Sequence, residues 1–274
     1  EVAPNYAGHI IFLFIGGFII ALAMEKWNLH RRIALTTIAR VGTRPARLML
    51  GFMIATAFLS MWISNTATTM MLLPIAMAVV NQLGEMAEID GESGPDTPAR
   101  IQRTFGVMLL LGIAYSASVG GLGTIIGSPT TVAFLGFAQT RFPDQEPIGF
   151  LDWSLVCIPL VIIFIPIMWI YLCRYGAEIP LNRIHFKGSQ DVIEKELRKM
   201  GPMTNPEKLV LASSSLTGFL WVFRRPIELG SFSIPGWSSL FANPSDIHDA
   251  TVAMVMGILL CLIPVNLSGG LEWR

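Results

Sequence analysis

The stretch of sequence that decides the fold reads Ser60-Met61-Trp62-Ile63-Ser64-Asn65-Thr66-Ala67-Thr68-Thr69-Met70-Met71-Leu72-Leu73-Pro74. Its polar part, residues 64–69, interrupts an apolar run that begins at Leu48 and ends at Val80. Each apolar flank has about 16 residues or fewer, so each rises about 24 Å at most as a helix. A spanning helix needs about 20 residues, so neither flank comfortably spans alone. The stretch therefore predicts a re-entrant helical hairpin over 48–80, with its polar tip deep in the bilayer.

The depth of this tip makes it a candidate binding site. Non-helical backbone inside a membrane persists only where it is buried in protein or lines a wet cavity. In a soluble protein the same stretch would be a loop between two core helices. The chain has 274 residues, of which 53% are hydrophobic and 14% are charged, and its mean hydropathy is +0.58. These values indicate an all-α polytopic membrane protein instead.

Charge, cysteine and histidine usage narrow the possible functions. The formal net charge is zero, which offers no argument for nucleic-acid binding. The cysteines have no metal-ligand spacing and are expected to face lipid or core; they are Cys157, Cys173 and Cys261. The histidines are scattered near span ends and are expected to be solvated interface residues; they are His9, His30, His185 and His248. We therefore predict no metal cluster and no cofactor.

The segments before the hairpin predict one span and one surface helix. His9 to Met24 is apolar, and its paired glycines at 16 and 17 indicate close helix approach or a break. The basic segment 25–47 follows, with apolar residues at helical spacing: Ile33, Ala34, Ile38 and Val41. This pattern favours an amphipathic helix along the membrane surface, and the alternative is a plain basic loop.

A second long apolar region, 104–139, is also interrupted in its middle. The interruption reads Tyr115-Ser116-Ala117-Ser118-Val119-Gly120-Gly121-Leu122-Gly123-Thr124-Ile125-Ile126-Gly127-Ser128-Pro129-Thr130-Thr131. Its glycines and its proline do not sustain one regular helix. We therefore predict a discontinuous span in which Pro129 occupies the first turn of the second half.

The rest of the chain predicts three further spans and a short polar helix. The spans cover 155–173, with two internal prolines, 209–223 and 250–265. A charged helix is expected over Ser189 to Met200, supported by Glu194 and Arg198 at i,i+4 spacing; they lie within the polar connector.

The distribution of basic residues predicts the orientation of these spans. The loops 25–47, 81–103 and 174–208 hold fifteen Lys and Arg, whereas the loops 140–153 and 224–249 hold three. Because cytoplasmic loops carry the excess of positive charge, the first set is expected in the cytoplasm. The hairpin then enters a cell membrane, the inner membrane in bacteria, from the cytoplasmic side.

Two interrupted helices close in sequence point to a transporter site. The end of each first half-helix offers carbonyls, which suit a cation, and the start of each second half offers N–H groups, which suit an anion. Carbonyls from Ser60 to Ser64 could face sodium, and Asn65 and Thr66 could face a carboxylate. The apolar spans contain no acidic residue, which favours an anion accompanied by cations. The alternative is that Ser64 and Asn65 only cap the half-helices.

Residues 60–69, together with 115–124 and Gly127-Ser128-Pro129, resemble the divalent anion/sodium symporter family, the INDY-type and solute-carrier-13-type carriers. The resemblance implies an elevator-type, homodimeric carrier with scaffold and transport domains and two inverted repeats. It implies a sodium site made by Ser60, Ser64, Asn65 and Gly127. The substrate site that we assign comprises Asn65, Thr66, Ser128 and Pro129.

The chain departs from the family pattern in two ways. Ser-Asn-Thr occurs once in 274 residues, so the chain is expected to be a central part with an incomplete second repeat. Thr130-Thr131 stands where family members commonly have an Asn after Gly-Ser-Pro, which could alter ion coupling. The expected domains are scaffold-type segments at 1–47 and 209–274, a transport-domain part at 48–173 and a cytoplasmic connector at 174–208.

The resemblance implies sodium-coupled transport of dicarboxylates, with C4-dicarboxylates such as succinate ahead of citrate and sulfate. A sodium-independent dicarboxylate exchanger and a sulfate carrier are alternatives in the same family. An ion channel with a re-entrant pore loop is an alternative from another class, although the mixed hydroxyl and amide tip fits a selectivity filter less well. An enzyme would need a catalytic cluster at membrane depth, and none is evident in the sequence. The expected partners are a small anion, sodium ions, lipid and a second copy of the chain.

Overall fold

The computed structural model describes residues 8–42, 44–84, 87–89, 97–176, 181, 184–186, 189–229 and 232–263. Most of these residues are helical: α1 (His9–Lys26), α2 (Leu29–Val41), α3 (Pro45–Ser60), α4 (Asn65–Gly84), α5 (Thr97–Gly120), α6 (Pro129–Arg141), α7 (Phe150–Tyr171), α8 (Ser189–Lys199), α9 (Asn205–Val222) and α10 (Asp249–Leu262). Helices thus dominate the fold, as the predicted class requires.

Short strands and turns complete the described chain. Two antiparallel pairs of three-residue strands are present: β1 (Ala87–Ile89) with β2 (Ile184–Phe186), and β3 (Ile227–Leu229) with β4 (Phe232–Ile234). A π-helical turn, Leu172–Gly176, continues α7, and two 3-10 turns lie at Trp237–Leu240 and Pro244–Asp246. The sequence predicted none of the strands, because the segments that contain them, 81–103, 174–208 and 224–249, were read as polar connections.

Among the residues that the structure describes, three helical segments are long and apolar enough to cross a membrane: His9–Lys26, Pro98–Gly120 and Phe150–Gly176. Two shorter apolar helices, Pro45–Ser60 and Asp249–Leu262, accompany them. The lengths and composition match an all-α membrane protein. Because α7 contains Pro159 and Pro166 without interruption, the expectation that this span tolerates its prolines is confirmed.

The elements form two compact units. Unit 1 contains α1, α6, the first turns of α7, α9 and α10. Its interior is centred on the packing of α1 against α10. A Cβ atom placed on Gly16 would lie 2.5 Å from the carbonyl carbon of Ala253, so glycine is required for the two backbones to approach this closely. The predicted close helix approach at Gly16 is therefore confirmed.

Unit 2 contains α2 from His30 onward, α3, α4, α5, the rest of α7 and α8. Helices α3 and α4 both pack along α5 and contact it more extensively than they contact each other. The core comprises large apolar side chains with little or no exposed surface, such as Phe52, Met53, Leu59, Leu72, Phe105 and Leu109. Burial of this apolar surface is the main favourable term that holds the three helices together.

The second arm of the predicted hairpin is longer than the sequence indicated. The turn between the arms covers only residues 61–64, and α4 begins at Asn65 and has 20 residues. A helix of that length rises about 30 Å. Among the described helices, however, α4 is not one of those apolar enough to cross a membrane, so the re-entrant hairpin stays a prediction and only the length of this arm was underestimated. The reason is local: residues 65–69 are polar but helical, and the Thr69 hydroxyl bonds to the Asn65 carbonyl within the helix at 2.8 Å.

The predicted discontinuity of the second apolar region is confirmed. Helix α5 ends at Gly120, residues 121–128 are not helical, and α6 begins with Pro129, which is its first residue as predicted. Helix α5 begins at Thr97, earlier than the apolar pattern indicated.

The predicted amphipathic helix in the segment 25–47 is confirmed as α2. Its apolar side is buried at Ala34, Leu35 and Ile38, while Arg40 is exposed. The predicted charged helix is confirmed as α8, with Arg198 Nη2 donating to Glu194 Oε2 at 3.2 Å. The two helices are joined by Arg31, whose Nη2 lies 3.0 Å from Glu196 Oε2.

The histidine predictions are partly wrong. His30 is buried, with 7% of its surface exposed, because it lies on the inward side of α2 beside Leu29 and Ala34. His9 and His248 are not scattered: their rings stack with centroids 4.5 Å apart, since α1 and α10 begin at the same end of unit 1. The His185 side chain lies outside the described residues, as do Gly91, Gly94 and Pro95 of the loop 81–103 and the last two residues of the span 250–265.

Candidate functional site

The turn that follows α3 contains the first group of predicted site residues. Ser60 is the last residue of α3 and is completely buried. The chain then forms a tight turn, in which the N–H groups of Trp62 and Ile63 both donate to the Leu59 carbonyl at 3.0 Å. The carbonyl groups in the last turn of a helix have no intrahelical partner and can accept other hydrogen bonds or coordinate a cation. The end of α3 thus presents oxygen atoms inside unit 2.

Three oxygen atoms converge at Ser60. Its Oγ lies 2.7 Å from the Ala117 carbonyl oxygen of α5 and 2.7 Å from Asn65 Oδ1. A serine hydroxyl has one proton and donates it to one oxygen at a time. Two arrangements satisfy the second short contact of Ser60 Oγ. In one, a cation lies among the three oxygens. In the other, the Asn65 amide is rotated so that its NH₂ group donates to Ser60 Oγ. The local chemistry therefore suits a small cation.

The start of α4 offers the opposite polarity. Ser64 precedes the helix; its Oγ accepts from the Ala67 N–H at 3.4 Å, and its carbonyl accepts from the Thr68 N–H at 2.9 Å. The N–H groups of Asn65 and Thr66 belong to the first turn, which has no intrahelical acceptors. The positive end of the helix dipole adds to these donors. This end of α4 suits an anionic group.

The hydroxyl groups of Thr68 and Thr69 have a local role. Thr68 Oγ1 donates to the Ile63 carbonyl at 3.4 Å, and Thr69 Oγ1 donates to the Asn65 carbonyl. These bonds stabilise the turn and the first helical residues. Both hydroxyl groups thus bond to nearby carbonyl groups of the turn and the helix.

The second break, residues 121–128, packs directly on this turn. The Asn65 amide lies over Gly121, where a Cβ atom would overlap its Oδ1. A Cβ atom on Gly127 would lie 2.7 Å from the Ser60 carbonyl oxygen and 2.6 Å from the Gly121 carbonyl oxygen. Only glycine permits these approaches of backbone to backbone and of amide to backbone. The structure thus brings together Ser60, Asn65 and Gly127, which the sequence separated by up to 67 positions.

The remaining predicted site residues differ in their burial. Ser64 is half-buried at the start of α4, and the Thr66 side chain is exposed. Ser128 is buried at the end of the break. Pro129 begins α6 in unit 1 and is exposed. The ligand roles assigned to these residues stay predictions.

Thr124 is a site residue that sequence reasoning missed. Its side chain is buried, with 3% exposed, and its Oγ1 donates to the Met61 carbonyl and accepts from the Gly127 N–H at 3.2 Å. The signal that could have found it is a lone hydroxyl residue between two glycines of the break, at 123 and 127.

A buried ion pair was also missed, in unit 1. Arg224 Nε lies 2.5 Å from Asp249 Oδ1, and both side chains are almost fully buried. Asp249 Oδ2 also accepts from the Phe150 N–H at 2.8 Å. Because Arg224 follows α9, Asp249 begins α10 and Phe150 begins α7, the pair joins the ends of three helices. Within the described part of the chain, no group of three or more His, Cys, Asp or Glu side chains could hold a metal ion.

Comparison with known proteins adds an independent line of argument. The sequence model of the family described as "Sodium:sulfate symporter transmembrane region" matches residues 1–273. The protein named sodium-dependent dicarboxylate transporter SdcS of Staphylococcus saprophyticus is 39% identical over 266 residues, which cover 97% of this chain and 47% of that protein. The protein of the same name from Staphylococcus aureus (strain NCTC 8325 / PS 47) is 38% identical with the same coverage.

The chain therefore spans about half the length of these curated relatives. The family match, in contrast, extends over nearly all of its residues, including both helix breaks. We conclude that the chain belongs to the sodium:sulfate symporter family of divalent anion/sodium symporters.

Proposed function

We propose that this chain is part of a secondary active transporter, not an enzyme, that moves a C4-dicarboxylate such as succinate together with sodium ions. The two Staphylococcus relatives are named for sodium-dependent dicarboxylate transport, which supports both the substrate class and the coupling ion. The transported ion and anion are its ligands, and we propose no further cofactor. Its place of action would be the cell membrane.

The observation that carries this proposal is the convergence of oxygen atoms where the two helix breaks meet. Ser60 Oγ lies 2.7 Å from both Asn65 Oδ1 and the Ala117 carbonyl oxygen, and Ser60 itself is fully buried. We assign a sodium site to this region, with Ser60, Ser64, Asn65 and Gly127 as its ligands. Neutral oxygen ligands are chemically suited to an alkali cation, as they are in ion-selective pores.

The substrate would bind next to the sodium ions. We assign its carboxylate to the N–H groups and side chains of Asn65 and Thr66, and to Ser128 and Pro129 at the second break. The start of α4 supplies a positive dipole end, and a bound sodium ion would offset the remaining negative charge. This arrangement explains why the candidate site needs no Lys or Arg.

For the movement we propose an elevator mechanism in a homodimer. The hairpin made by α3 and α4 would enter from the cytoplasm and move with the transport-domain part, 48–173. The segments 1–47 and 209–274 would belong to the scaffold, and 174–208 would connect them. The packing of both hairpin arms on α5 within unit 2 supports a hairpin that moves as a rigid body.

A sulfate carrier is a second candidate. The description of the matching family names sodium and sulfate, whereas the relatives are named for dicarboxylates. Both anions are divalent, so helix starts that bind a carboxylate would also suit a sulfate.

Uptake into proteoliposomes tests the proposal. The longest chain that contains residues 1–274 would be reconstituted, and radiolabelled succinate and sulfate uptake would be measured with an inward sodium gradient and with potassium in its place. We expect sodium-driven succinate accumulation that is lost in Asn65→Ala. Thr56→Val is the control, because the buried Thr56 hydroxyl donates to the Phe52 carbonyl of the same helix, α3.

Any other result of the uptake experiment would change the proposed function. Accumulation of sulfate alone would select the second candidate. Uptake that requires internal dicarboxylate and ignores sodium would show an exchanger. No uptake of either anion would refute the substrate assignment.

A further inference from the structure

The inference begins with the two hydrogen bonds of Thr124. Its hydroxyl donates to the Met61 carbonyl in the turn after α3 and accepts from the Gly127 N–H in the second break. The side chain is 3% exposed, so water does not readily replace either bond. One buried hydroxyl thus connects two segments that are 63 residues apart in sequence.

Each bond holds a peptide group next to a proposed sodium ligand. The Met61 carbonyl belongs to the peptide group that follows the one containing the Ser60 carbonyl. The Gly127 N–H belongs to the peptide group that precedes the one containing the Gly127 carbonyl. By fixing both neighbours, Thr124 sets the direction in which these ligands point, although it does not belong to the ligand set itself.

The glycine content of the break makes this constraint necessary. Glycine has the largest conformational freedom of all residues, and the break contains Gly121, Gly123 and Gly127. Gly123 packs on Met61, where a Cβ atom would lie 2.9 Å from the methionine methyl group. The N–H groups of Gly121 and Gly123 donate to the Ala117 and Gly120 carbonyls at the end of α5, so these bonds do not tie the break to the turn after α3. The Thr124 hydroxyl provides that connection.

We propose that Thr124 is a positioning residue that holds the two helix breaks in the geometry required for sodium binding. The inference rests on the proposed function, because it assumes the sodium site described above. Supporting groups around metal ligands typically contribute about 10-fold to 100-fold in metal affinity. Without the hydroxyl, sodium must order the break as it binds, so affinity falls while the transport rate at saturating sodium is retained.

The test compares Thr124→Val, Thr124→Ser and Thr124→Ala in the longest chain containing residues 1–274. Two quantities are measured: the sodium concentration that half-saturates succinate uptake, and the maximal uptake rate. We expect this concentration to rise about 10-fold in Thr124→Val and Thr124→Ala with little change in maximal rate. Thr124→Ser should resemble the wild type, and so should the control Thr56→Val.

The Ser and Ala variants make the test independent of packing, because both lack the threonine methyl group and differ only in the hydroxyl. Equal sodium requirements in these two variants would overturn the inference, even if Thr124→Val does not fold. Equal loss of maximal rate in all three variants, with an unchanged sodium requirement, would also overturn it.

A direct binding measurement separates this inference from the proposed function. At a given sodium concentration, tighter sodium binding raises the thermal unfolding midpoint of the folded protein further, and potassium is the control. If the wild type binds sodium but transports no dicarboxylate, the proposed function fails while the Ser and Ala comparison still decides the role of Thr124. If sodium produces no shift in the wild type, both proposals fail.

Discussion

At the scale of single residues, the candidate site depends on side chains that are absent as much as on those that are present. Gly121 and Gly127 leave room for the Asn65 amide and for the Ser60 carbonyl, and each would clash there if it carried a Cβ atom. The hydroxyls of Ser60 and Thr124 then supply the polar contacts that link the turn after α3 to α5 and to the second break. The site is therefore built by backbone approach and completed by two small side chains.

The substitution Gly127→Ala tests this dependence. The new Cβ would lie 2.6 to 2.7 Å from two carbonyl oxygens, which are backbone atoms and cannot move aside as a flexible side chain can. We expect sodium-driven uptake to be lost while the protein still inserts in the membrane. The control is Gly136→Ala in α6, where the new Cβ would meet only the Ile10 side chain at 3.9 Å. Full uptake by Gly127→Ala would contradict the close approach of the two breaks.

At the scale of elements, the helices pack both through close backbone approach and through charged side chains. In unit 1, α1 and α10 touch backbone to backbone at Gly16 and Ala253. In unit 2, α2 and α8 are linked by charged side chains, with Arg31 and Lys199 both contacting Glu196. Arg32 adds hydrogen bonds to carbonyls after α8, including that of Gly201 at 3.0 Å. Close backbone approach also occurs in unit 2, between Gly120 of α5 and Ala57 of α3, so the two kinds of contact are not divided between the units.

The contact between α1 and α10 predicts a difference between two glycines of one interface. Gly16→Ala forces the backbones apart and is expected to cost about 1–3 kcal/mol of stability, as overpacking typically does. Gly257→Ala is the matched variant, because its Cβ would lie 3.4 Å from the Ile19 side chain, which is ordinary contact. Thermal unfolding in detergent measures both. A Gly257→Ala protein that is as unstable as Gly16→Ala would contradict the assigned packing.

The Glu196 cluster predicts a pH dependence. A hydrogen bond from Lys199 holds the pKa of Glu196 below its ordinary value of 4.5, and the charges of Lys199 and Arg31 act in the same direction against the effect of burial. Because folding lowers this pKa, the carboxylate stabilises the folded chain above pH 4.5. That contribution is lost as the pH falls through the lower folded-state value.

We therefore expect Glu196→Gln to lower the unfolding midpoint at neutral pH and to have progressively less effect below about pH 4. Glu194→Gln is the control, since the Arg198 side chain that it would release is 82% exposed and such surface pairs contribute little. If the unfolding midpoints of the wild type and Glu196→Gln differed by the same amount in acid as at neutral pH, the result would argue against the ion pairs of Glu196.

At the scale of the whole molecule, each unit has its own interior and its own polar centre. Unit 2 contains the meeting point of the two breaks around Ser60 and Asn65, which we assign to function. Unit 1 contains the buried pair of Arg224 and Asp249, which joins α7, α9 and α10. Trp221 reinforces this centre, because its indole N–H donates to the Asp249 carbonyl at 3.0 Å. The first centre uses neutral groups that can exchange a ligand, whereas the second is closed by full charges.

The ion pair of unit 1 predicts non-additive substitutions. Arg224→Met leaves the Asp249 carboxylate buried without its partner, which typically costs about 3–5 kcal/mol. Adding Asp249→Asn removes that charge and keeps an oxygen for the Phe150 N–H, so the double variant should be more stable than Arg224→Met alone. Thermal unfolding followed by circular dichroism measures the stability of the single and double variants. Simply additive losses would mean that the two side chains do not act as a pair.

The sequence by itself determined the class of the protein, most of its helices and both breaks. Hydropathy and glycine content are local properties, and they correctly predicted that both apolar regions are interrupted, with the second break inside 115–131 and Pro129 as the first residue of α6. The first interruption was expected at 64–69 and lies at 61–64 instead. The resemblance carried by residues 60–69 and 115–129 also led to the family, which the comparison confirms. The length of α4 was misjudged, because polar residues at the start of a helix look like a loop when only composition is considered.

Only the tertiary structure decided which groups meet. The contact of Ser60 with the Ala117 carbonyl joins residues 57 positions apart, the Thr124 bond to Met61 joins residues 63 apart, and Arg224 pairs with Asp249 across a segment read as a loop. The burial of His30 likewise follows from the packing of α2. No periodicity or local composition reports such pairs, because they depend on how whole helices pack against each other after their own hydrogen bonds are satisfied.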